Sequence, residues 1–247
     1  MTDLKGLIQI AGIRNREEAL MLIAAGVHQL GFPLRLDVHR EDLTEEETAA
    51  IIRLLPSTAS AILITYLSEA DELITLCRKT GCRKVQLHGK ISLSQLKRLR
   101  ALDQDLLLIK SLIVRNQNLA ELESLMQSYT PYVDAFITDT FDPETGASGA
   151  TGKTHDWEVS RKLVKMSARP VILAGGLNPA NVRQAIFAVN PAGVDTHSGV
   201  ERRTGRRTGN SWILLSGKQR MPLHPWPRQS MLKGLIFSLK NHRTGIG

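Results

Sequence analysis

The sequence has little cysteine, few aromatic residues and no long apolar run. Cys77 and Cys82 are the only cysteines among 247 residues, which excludes a disulfide scaffold and a four-cysteine zinc site. No stretch of eighteen apolar residues occurs, so no transmembrane helix is expected, and the polar start before Leu7 does not fit a signal peptide. These absences favour a cytoplasmic protein, and the length suffices for one sizeable hydrophobic core.

Acidic residues are absent from the end of the chain. Residues 202–247 contain ten Lys and Arg and no Asp or Glu, whereas residues 1–201 hold 22 basic and 24 acidic residues, so this tail carries the whole excess of the +8 formal charge. A basic tail can attract phosphate backbones or anionic lipid, but no recognition motif accompanies the charge. We therefore expect neither a nucleic acid nor a membrane as partner. The chain divides into a body, residues 1–201, and an atypical basic tail, residues 202–247.

Short apolar runs alternate with helical patterns along the body. The predicted strands cover residues 7–10, 27–32, 61–65, 84–87, 106–110, 135–138, 170–173 and 193–195. The predicted helices cover residues 17–25, a segment from Thr44, and residues 69–80, 92–102, 119–129, 157–165 and 179–188. Glu47 follows Thr44 by three residues, which is a capping-box pattern, and Pro179 suits the first turn of the last helix.

Eight strands separated by helices predict parallel pairing with right-handed crossovers. This pattern favours a closed (β/α)8 TIM barrel over an open doubly wound sheet, because the glycine-rich loops follow strands six, seven and eight rather than strand one. The eighth helix is expected to be incomplete or irregular, since prolines and glycines are dense after Glu201. One hypothesis is that an altered reading frame has replaced that helix.

Six segments of the body occur together in a familiar order, and the chain resembles the phosphoribosylanthranilate isomerase family over residues 7–201. The segments are residues 10–13, 85–89, 138–140, 149–157, 173–179 and 194–201. The resemblance implies an Amadori rearrangement in tryptophan biosynthesis. In that reaction N-(5-phosphoribosyl)anthranilate becomes a 1-deoxyribulose phosphate, with no cofactor and no metal. The expected partner is thus a small phosphorylated substrate, and the sequence does not determine the oligomeric state.

The implied reaction needs an acid that opens the furanose ring and a base that removes the C2 proton. The resemblance makes Asp139, just beyond the predicted sixth strand, the general acid. That role requires a pKa raised by burial or by nearby negative charge. The alternative is an aspartate that caps a turn through backbone amides.

The position of the general base is occupied by a residue that cannot accept a proton. The family has a cysteine after strand one in a Lys-Ile-Cys-Gly setting, where this chain has Ala11. Cys77 and Cys82 are expected at the opposite barrel end. Either His88 or His197 replaces the base, or the reaction is a related one, or binding persists without catalysis. His88 follows strand four and has a near-neutral unperturbed pKa. However, the family has this histidine even beside its cysteine, which favours a loop-holding or substrate-contacting role.

The loops after strands seven and eight are the candidate phosphate site. Gly175 and Gly176 precede the helix predicted from Pro179, and Ser198 and Gly199 follow strand eight. Backbone amides in such loops, with a helix N-terminus behind them, attract a dianion. The alternative is that these glycines only form tight turns.

Two further residues are candidates for substrate binding by resemblance. Arg35, after strand two, would meet the anthranilate carboxylate through a bidentate pair, and Asp195, ending strand eight, would bond a sugar hydroxyl. Three functions are therefore compared: the isomerase, a weakened paralogue that binds a phosphorylated sugar amine or acts on a related substrate, and, least favoured, a binder of nucleic acid or anionic surfaces through the tail.

Overall fold

The strands of the protein close into a ring. A computed structural model describes Leu4 and residues 6–36, 41–115, 117–141 and 154–200. Within these residues eight parallel strands form a closed barrel in chain order. They are β1 (Leu7–Ala11), β2 (Gln29–Pro33), β3 (Ser60–Thr65), β4 (Lys84–Leu87), β5 (Leu107–Val114), β6 (Ala135–Thr140), β7 (Val171–Leu173) and β8 (Gly193–Thr196).

Within the part of the chain that the structure describes, seven α-helices connect the strands. They are α1 (Arg16–Ala24), α2 (Glu45–Arg53), α3 (Ala70–Thr80), α4 (Leu93–Leu102), α5 (Leu119–Tyr129), α6 (Trp157–Met166) and α7 (Val182–Val189), and a 3-10 turn (Ser198–Val200) follows β8. The capping box predicted at α2 is present, because Thr44 and Glu47 each bond the other's backbone N–H. None of the helices described is long and apolar enough to cross a membrane. The predicted basic tail, residues 202–247, and the place of an eighth helix lie outside the described residues.

The pairing of β1 with β8 closes the ring and confirms the barrel over the open sheet. Leu7 aligns with Gly193, and Gln9 aligns with Asp195. The predicted end of the sixth strand is wrong. β6 runs to Thr140 rather than ending before Asp139, because β5 is long enough to pair with it up to Val114.

Two apolar layers show which residues face the barrel interior. One cluster contains helix residues such as Leu73 and Leu96 together with Leu108 and Phe136, so it lies between the strands and the helices. A second cluster contains no residue of these helices and consists of barrel residues that include Ile62, Ile109, Ile137 and Ile172. Because side chains alternate along a strand, the residue two positions beyond each of these also faces the barrel interior. That residue lies nearer the carboxyl end of its strand.

Candidate active site

Asp139 stands on the inner face of β6, two positions above Ile137 and aligned with Ile113 of β5. The side chain is buried, and its Oδ1 accepts the N–H of Thr140 at 2.8 Å. Burial raises the pKa of this carboxyl, while the nearby charge of His88 and the Thr140 bond lower it in part. Asp139 therefore belongs to a rigid strand and not to a loop, and its raised pKa suits a group that donates a proton.

His88 lies directly after β4 and shares the inner face with Gln86. Its backbone N–H donates to Thr65 O at 2.9 Å, and its imidazole Nδ1 is 3.0 Å from Ser111 Oγ on β5. The edge of its ring meets Tyr66, with centroids 5.0 Å apart and planes at 61°. The side chain is buried. The structure thus brings the imidazole to the barrel mouth that also holds the Asp139 carboxyl.

Ala11 ends β1 on the same inner face. Two positions below it, Gln9 Nε2 donates to Gln86 Oε1 at 3.0 Å across the interior, which fixes the inward direction on both β1 and β4. A Cβ added to Gly31 of β2 would lie 2.9 Å from Ala11 Cα and 2.8 Å from a methyl of Ile64. The position of the missing base is therefore at the mouth, beside Gly31 and close to the side chain of Ile64.

Neither cysteine can act at this mouth. Cys82 Sγ bonds Lys84 O at 3.3 Å and Ala61 O at 3.4 Å, near the amino ends of β4 and β3. Cys77 lies late in α3, and burial raises the pKa of its thiol to about 12, with Cys82 adding to the effect. Both thiols are buried and stand at the opposite end of the barrel, as the sequence predicts.

The loops after β7 and β8 touch each other. Thr196 Oγ1 donates to Leu177 O at 2.7 Å. A Cβ on Gly199 would lie 1.8 Å from the same carbonyl, so only glycine fits there. Gly175 and Gly176 both have positive φ, 96° and 61°. Ser198 begins the 3-10 turn beside them.

The helix predicted to begin at Pro179 begins at Val182, so that boundary is wrong. The side chains of Asn178 and Asn181 hold the intervening residues in a turn. Asn178 Oδ1 accepts the N–H of Ala180 at 2.9 Å, and Asn181 Nδ2 donates to Gly176 O at 3.0 Å. Such local side-chain bonds compete with a helical start. The first N–H groups of α7 therefore stand further from the glycines than the sequence suggests.

Arg35 and Asp195 occupy different settings. Arg35 follows β2 with a φ of 56°, and its Nε donates to Glu45 Oε1 at 2.6 Å, so its exposed guanidinium is held at the start of α2. Asp195 is buried on β8, aligned with Gln9. The strand continues to Thr196, so Asp195 is the penultimate residue and not the last one.

His155 is a residue of the site that the sequence reasoning missed. Its Nδ1 is 2.9 Å from Thr140 Oγ1, and its Nε2 is 2.5 Å from Ser160 Oγ on α6. A Cβ on Gly175 would lie 2.2 Å from Thr140 Oγ1 and 3.0 Å from His155 Nδ1. The imidazole thus joins the end of β6, the start of α6 and the loop after β7. Its partner is fifteen residues away in the chain, and no sequence signal marks that pairing.

Acid should destabilise the fold through His155. Burial lowers the pKa of its imidazole to about 4, against an ordinary value of 6.5. The unfolded chain therefore takes up a proton between pH 6.5 and pH 4 that the folded chain resists, and stability falls over this window as pH falls. In urea unfolding, the wild type should lose about 2–3 kcal/mol more than His155→Gln between pH 7 and pH 4.5, since one pKa unit is about 1.4 kcal/mol. Equal losses would contradict this role.

Among the residues described, no three His, Cys, Asp or Glu side chains group closely enough to hold a metal ion. The groups at the mouth are instead a carboxyl and an imidazole, beside two glycine-rich loops. The fold and the position of these groups define the class of protein: a (β/α)8-barrel enzyme with titratable side chains at the carboxyl ends of its strands.

Comparisons with known proteins identify the family. The family model described as N-(5'-phosphoribosyl)anthranilate isomerase matches residues 8–211. N-(5'-phosphoribosyl)anthranilate isomerase 2 of Methanosarcina mazei is 37% identical over 199 residues, which cover 80% of this chain and 87% of the relative. The chain therefore belongs to the N-(5'-phosphoribosyl)anthranilate isomerase family, which confirms the resemblance seen in its sequence.

Solved structures agree with this assignment. The phosphoribosylanthranilate isomerase of Thermotoga maritima is 29% identical with a TM-score of 0.71, over 85% of this chain and 96% of the other. A second such isomerase, crystallised with reduced 1-(o-carboxyphenylamino)-1-deoxyribulose 5-phosphate, is 26% identical with a TM-score of 0.69, over 84% and 95% of the two chains.

Proposed function

We propose that this chain catalyses the Amadori rearrangement of N-(5'-phosphoribosyl)anthranilate to the 1-deoxyribulose phosphate in tryptophan biosynthesis. The observation that carries the proposal is the buried Asp139 carboxyl, whose pKa burial raises, on the inner face of a strand in a barrel of this family. A protonated carboxyl at the mouth can supply the first proton that the reaction needs.

The acid step follows from the raised pKa of Asp139. Its protonated carboxyl donates to the furanose ring oxygen, the C1–O bond breaks, and the ring oxygen becomes the C4 hydroxyl while C1 and nitrogen form an iminium. A base then removes the C2 proton. The electron pair of the C2–H bond forms the C1=C2 bond of an enolamine, and the iminium π pair returns to nitrogen. Loss of the C2 hydroxyl proton and protonation of C1 give the ketone.

We assign the base role to His88. Ala11 has no ionisable atom, and both thiols stand at the other end of the barrel. The positive charge of His88 lowers the pKa of Asp139 in part, and both side chains stand at the same barrel mouth. His197, the other histidine considered, follows β8 and is partly exposed, whereas His88 is buried.

The remaining groups suit the two ends of the substrate. Backbone amides of Gly175, Gly176, Ser198 and Gly199 would receive the phosphate, because the two loops meet and glycine allows close approach. The Asp195 carboxylate would accept a hydrogen bond from a sugar hydroxyl. Arg35 would bind the anthranilate carboxylate, an exchange in which that carboxylate replaces Glu45 as its partner.

Turnover and binding separate this function from its alternative. The alternative, which the comparisons do not favour, is a weakened paralogue that binds a phosphorylated sugar amine without efficient turnover, because Ala11 cannot act as a base. Purified protein should bind reduced 1-(o-carboxyphenylamino)-1-deoxyribulose 5-phosphate in calorimetry and should consume N-(5'-phosphoribosyl)anthranilate in a fluorescence assay. Binding without consumption would support the paralogue, and the absence of both would refute the two proposals together.

Gly199→Ala should weaken phosphate binding. The added Cβ would lie 1.8 Å from Leu177 O, so the two loops must move apart. Their backbone amides would then no longer point at the same phosphate position. We expect KM to rise by about tenfold or more, since each charge-assisted bond contributes about 1.5–3 kcal/mol. Gly81→Ala is the control, because the added Cβ has nothing within 4 Å and lies at the end of α3, so its only strain is the positive φ of 74°. Equal changes in KM for both variants would contradict this prediction.

A further inference from the structure

Two consecutive residues of β5 hold His88 from opposite faces of the sheet. On the inner face, Ser111 Oγ lies 3.0 Å from His88 Nδ1. On the outer face, Lys110 Nζ donates to Leu87 O at 2.9 Å and to Gly89 O at 2.8 Å, the carbonyls on either side of the histidine. The pairing of β5 with β4, in which Lys110 aligns with Leu87, brings both contacts to the same residue.

The packing of the outer face does not require a lysine. Leu108 and Leu112, two positions before and after Lys110, fill the same layer as ordinary apolar residues. Lys110 is only 4% exposed, and its burial lowers the pKa of its amine to about 7. A buried ammonium is costly unless its donors are bonded. The two carbonyls are therefore the reason for its position, and a specific task explains the lysine better than packing does.

Neighbouring strands complete the restraint on the histidine. At the end of β3, Thr65 O accepts a hydrogen bond from the backbone N–H of His88 at 2.9 Å. The next residue, Tyr66, meets the imidazole edge-on. A Cβ on Gly89 would lie 2.7 Å from Tyr66 O, so the chain after the histidine passes close against β3. Tyr66 and Ser111 contact the His88 side chain, the Asp139 carboxyl of β6 is near enough for the imidazole charge to lower its pKa in part, and the Lys110 amine lies behind the sheet.

An imidazole exchanges protons only at its two nitrogens, so a partner on one nitrogen assigns the chemistry to the other. We propose that Lys110 and Ser111 are positioning residues for His88: Lys110 fixes the peptide groups on both sides of it, and Ser111 accepts the Nδ1 proton so that proton exchange occurs at Nε2. The arrangement is analogous to the groups that orient catalytic histidines through their second nitrogen. The inference rests on the proposed function only where it makes His88 the base.

Nitrogen-15 NMR of the full chain labelled at histidine tests the role of Ser111 without any need for turnover. The His88 signals are identified by their loss in His88→Gln. The wild type should show His88 predominantly as the Nδ1–H tautomer, and Ser111→Ala should shift the population towards the Nε2–H form of a free histidine side chain. Ser111→Thr, which keeps the hydroxyl, should retain the wild-type tautomer. An unchanged tautomer in Ser111→Ala, or an Nε2–H form in the wild type, would overturn the assignment.

Lys110→Met tests the outer contact. Methionine keeps the apolar volume, and apolar replacement of a buried charge is often neutral or stabilising, so the variant should fold. We expect hydrogen exchange at the His88 and Gly89 amides to accelerate by about tenfold or more, and kcat to fall by about tenfold with little change in KM, since positioning acts on the chemical step. Lys84→Met is the control, because Lys84 is a half-buried lysine of the neighbouring strand β4, and its amine donates to Gln29 Oε1 at the other barrel end.

The two readouts keep the inference separate from the proposed function. If the wild type has no turnover, the proposed function fails, while the tautomer and the amide exchange still decide whether the two residues hold the histidine. If hydrogen exchange at the His88 and Gly89 amides is as slow in Lys110→Met as in the wild type, the proposed role of Lys110 is wrong. If exchange accelerates but kcat is unchanged, Lys110 is structural and not a positioning residue.

Discussion

Ala11→Cys is expected to raise kcat, because it returns an ionisable group to the end of β1 beside the base proposed at His88; the upper bound is about 10²–10⁴-fold, which one general base typically contributes. The position faces the barrel mouth, in line with Gln9 below it and beside Gly31. The thiolate would stand across the mouth from Asp139, so acid and base would act from separate strands. Steady-state rates with N-(5'-phosphoribosyl)anthranilate measure the gain.

Ala11→Ser is the matched control for this gain. Serine has nearly the size of cysteine, but its hydroxyl does not ionise near neutral pH, so it tests space without supplying a base. We expect its kcat to remain near that of the wild type. Equal kcat in the cysteine and serine variants would mean that position 11 does not limit the reaction and that His88 already performs the proton transfer fully.

Asp139→Asn is expected to lower kcat by about 10²–10⁴-fold while the product analogue still binds. An amide has the shape of the carboxyl but no proton to give to the ring oxygen, so the loss falls on the chemical step. The strand should persist, since Asp139 is held by the pairing of β6 with β5. Rates with substrate and calorimetry with the reduced analogue measure the two effects.

Asp103→Asn controls for the loss of a carboxylate elsewhere. Asp103 pairs with Arg83 at the surface, and that pairing lowers the pKa of Asp103, so its removal should cost little stability and leave kcat unchanged. If Asp139→Asn keeps the wild-type kcat, another group is the acid. If it loses binding of the analogue together with kcat, the carboxyl is a binding group and not the proton donor.

The strand order of the barrel could be predicted because each strand is a compact apolar run bounded by turns. The ends of the elements were less accessible, because they depend on partners distant in the chain. β6 extends through Asp139 only because β5 offers Ile113 and Val114 as pairing residues. The start of α7 is delayed by side-chain bonds of Asn178 and Asn181, which a proline at position 179 does not reveal.

The location of candidate residues at the barrel mouth could be predicted where a residue type and a family motif coincide, as at Asp139 and the glycines after β7, while their roles stay predictions. It could not be predicted where a role arises from contact alone. Ser111 is an ordinary small residue in the sequence, and Lys110 looks like a strand end; their roles come from the register that aligns β5 with β4. Arg35 shows the opposite case, since its sequence position fits the motif while its guanidinium is held by Glu45.

The location of the proposed acid within a strand makes its position independent of the length of the connection that follows. The ladder between β5 and β6, which ends at Thr140, sets the place of the Asp139 carboxyl. That place is thus inherited with the barrel scaffold itself.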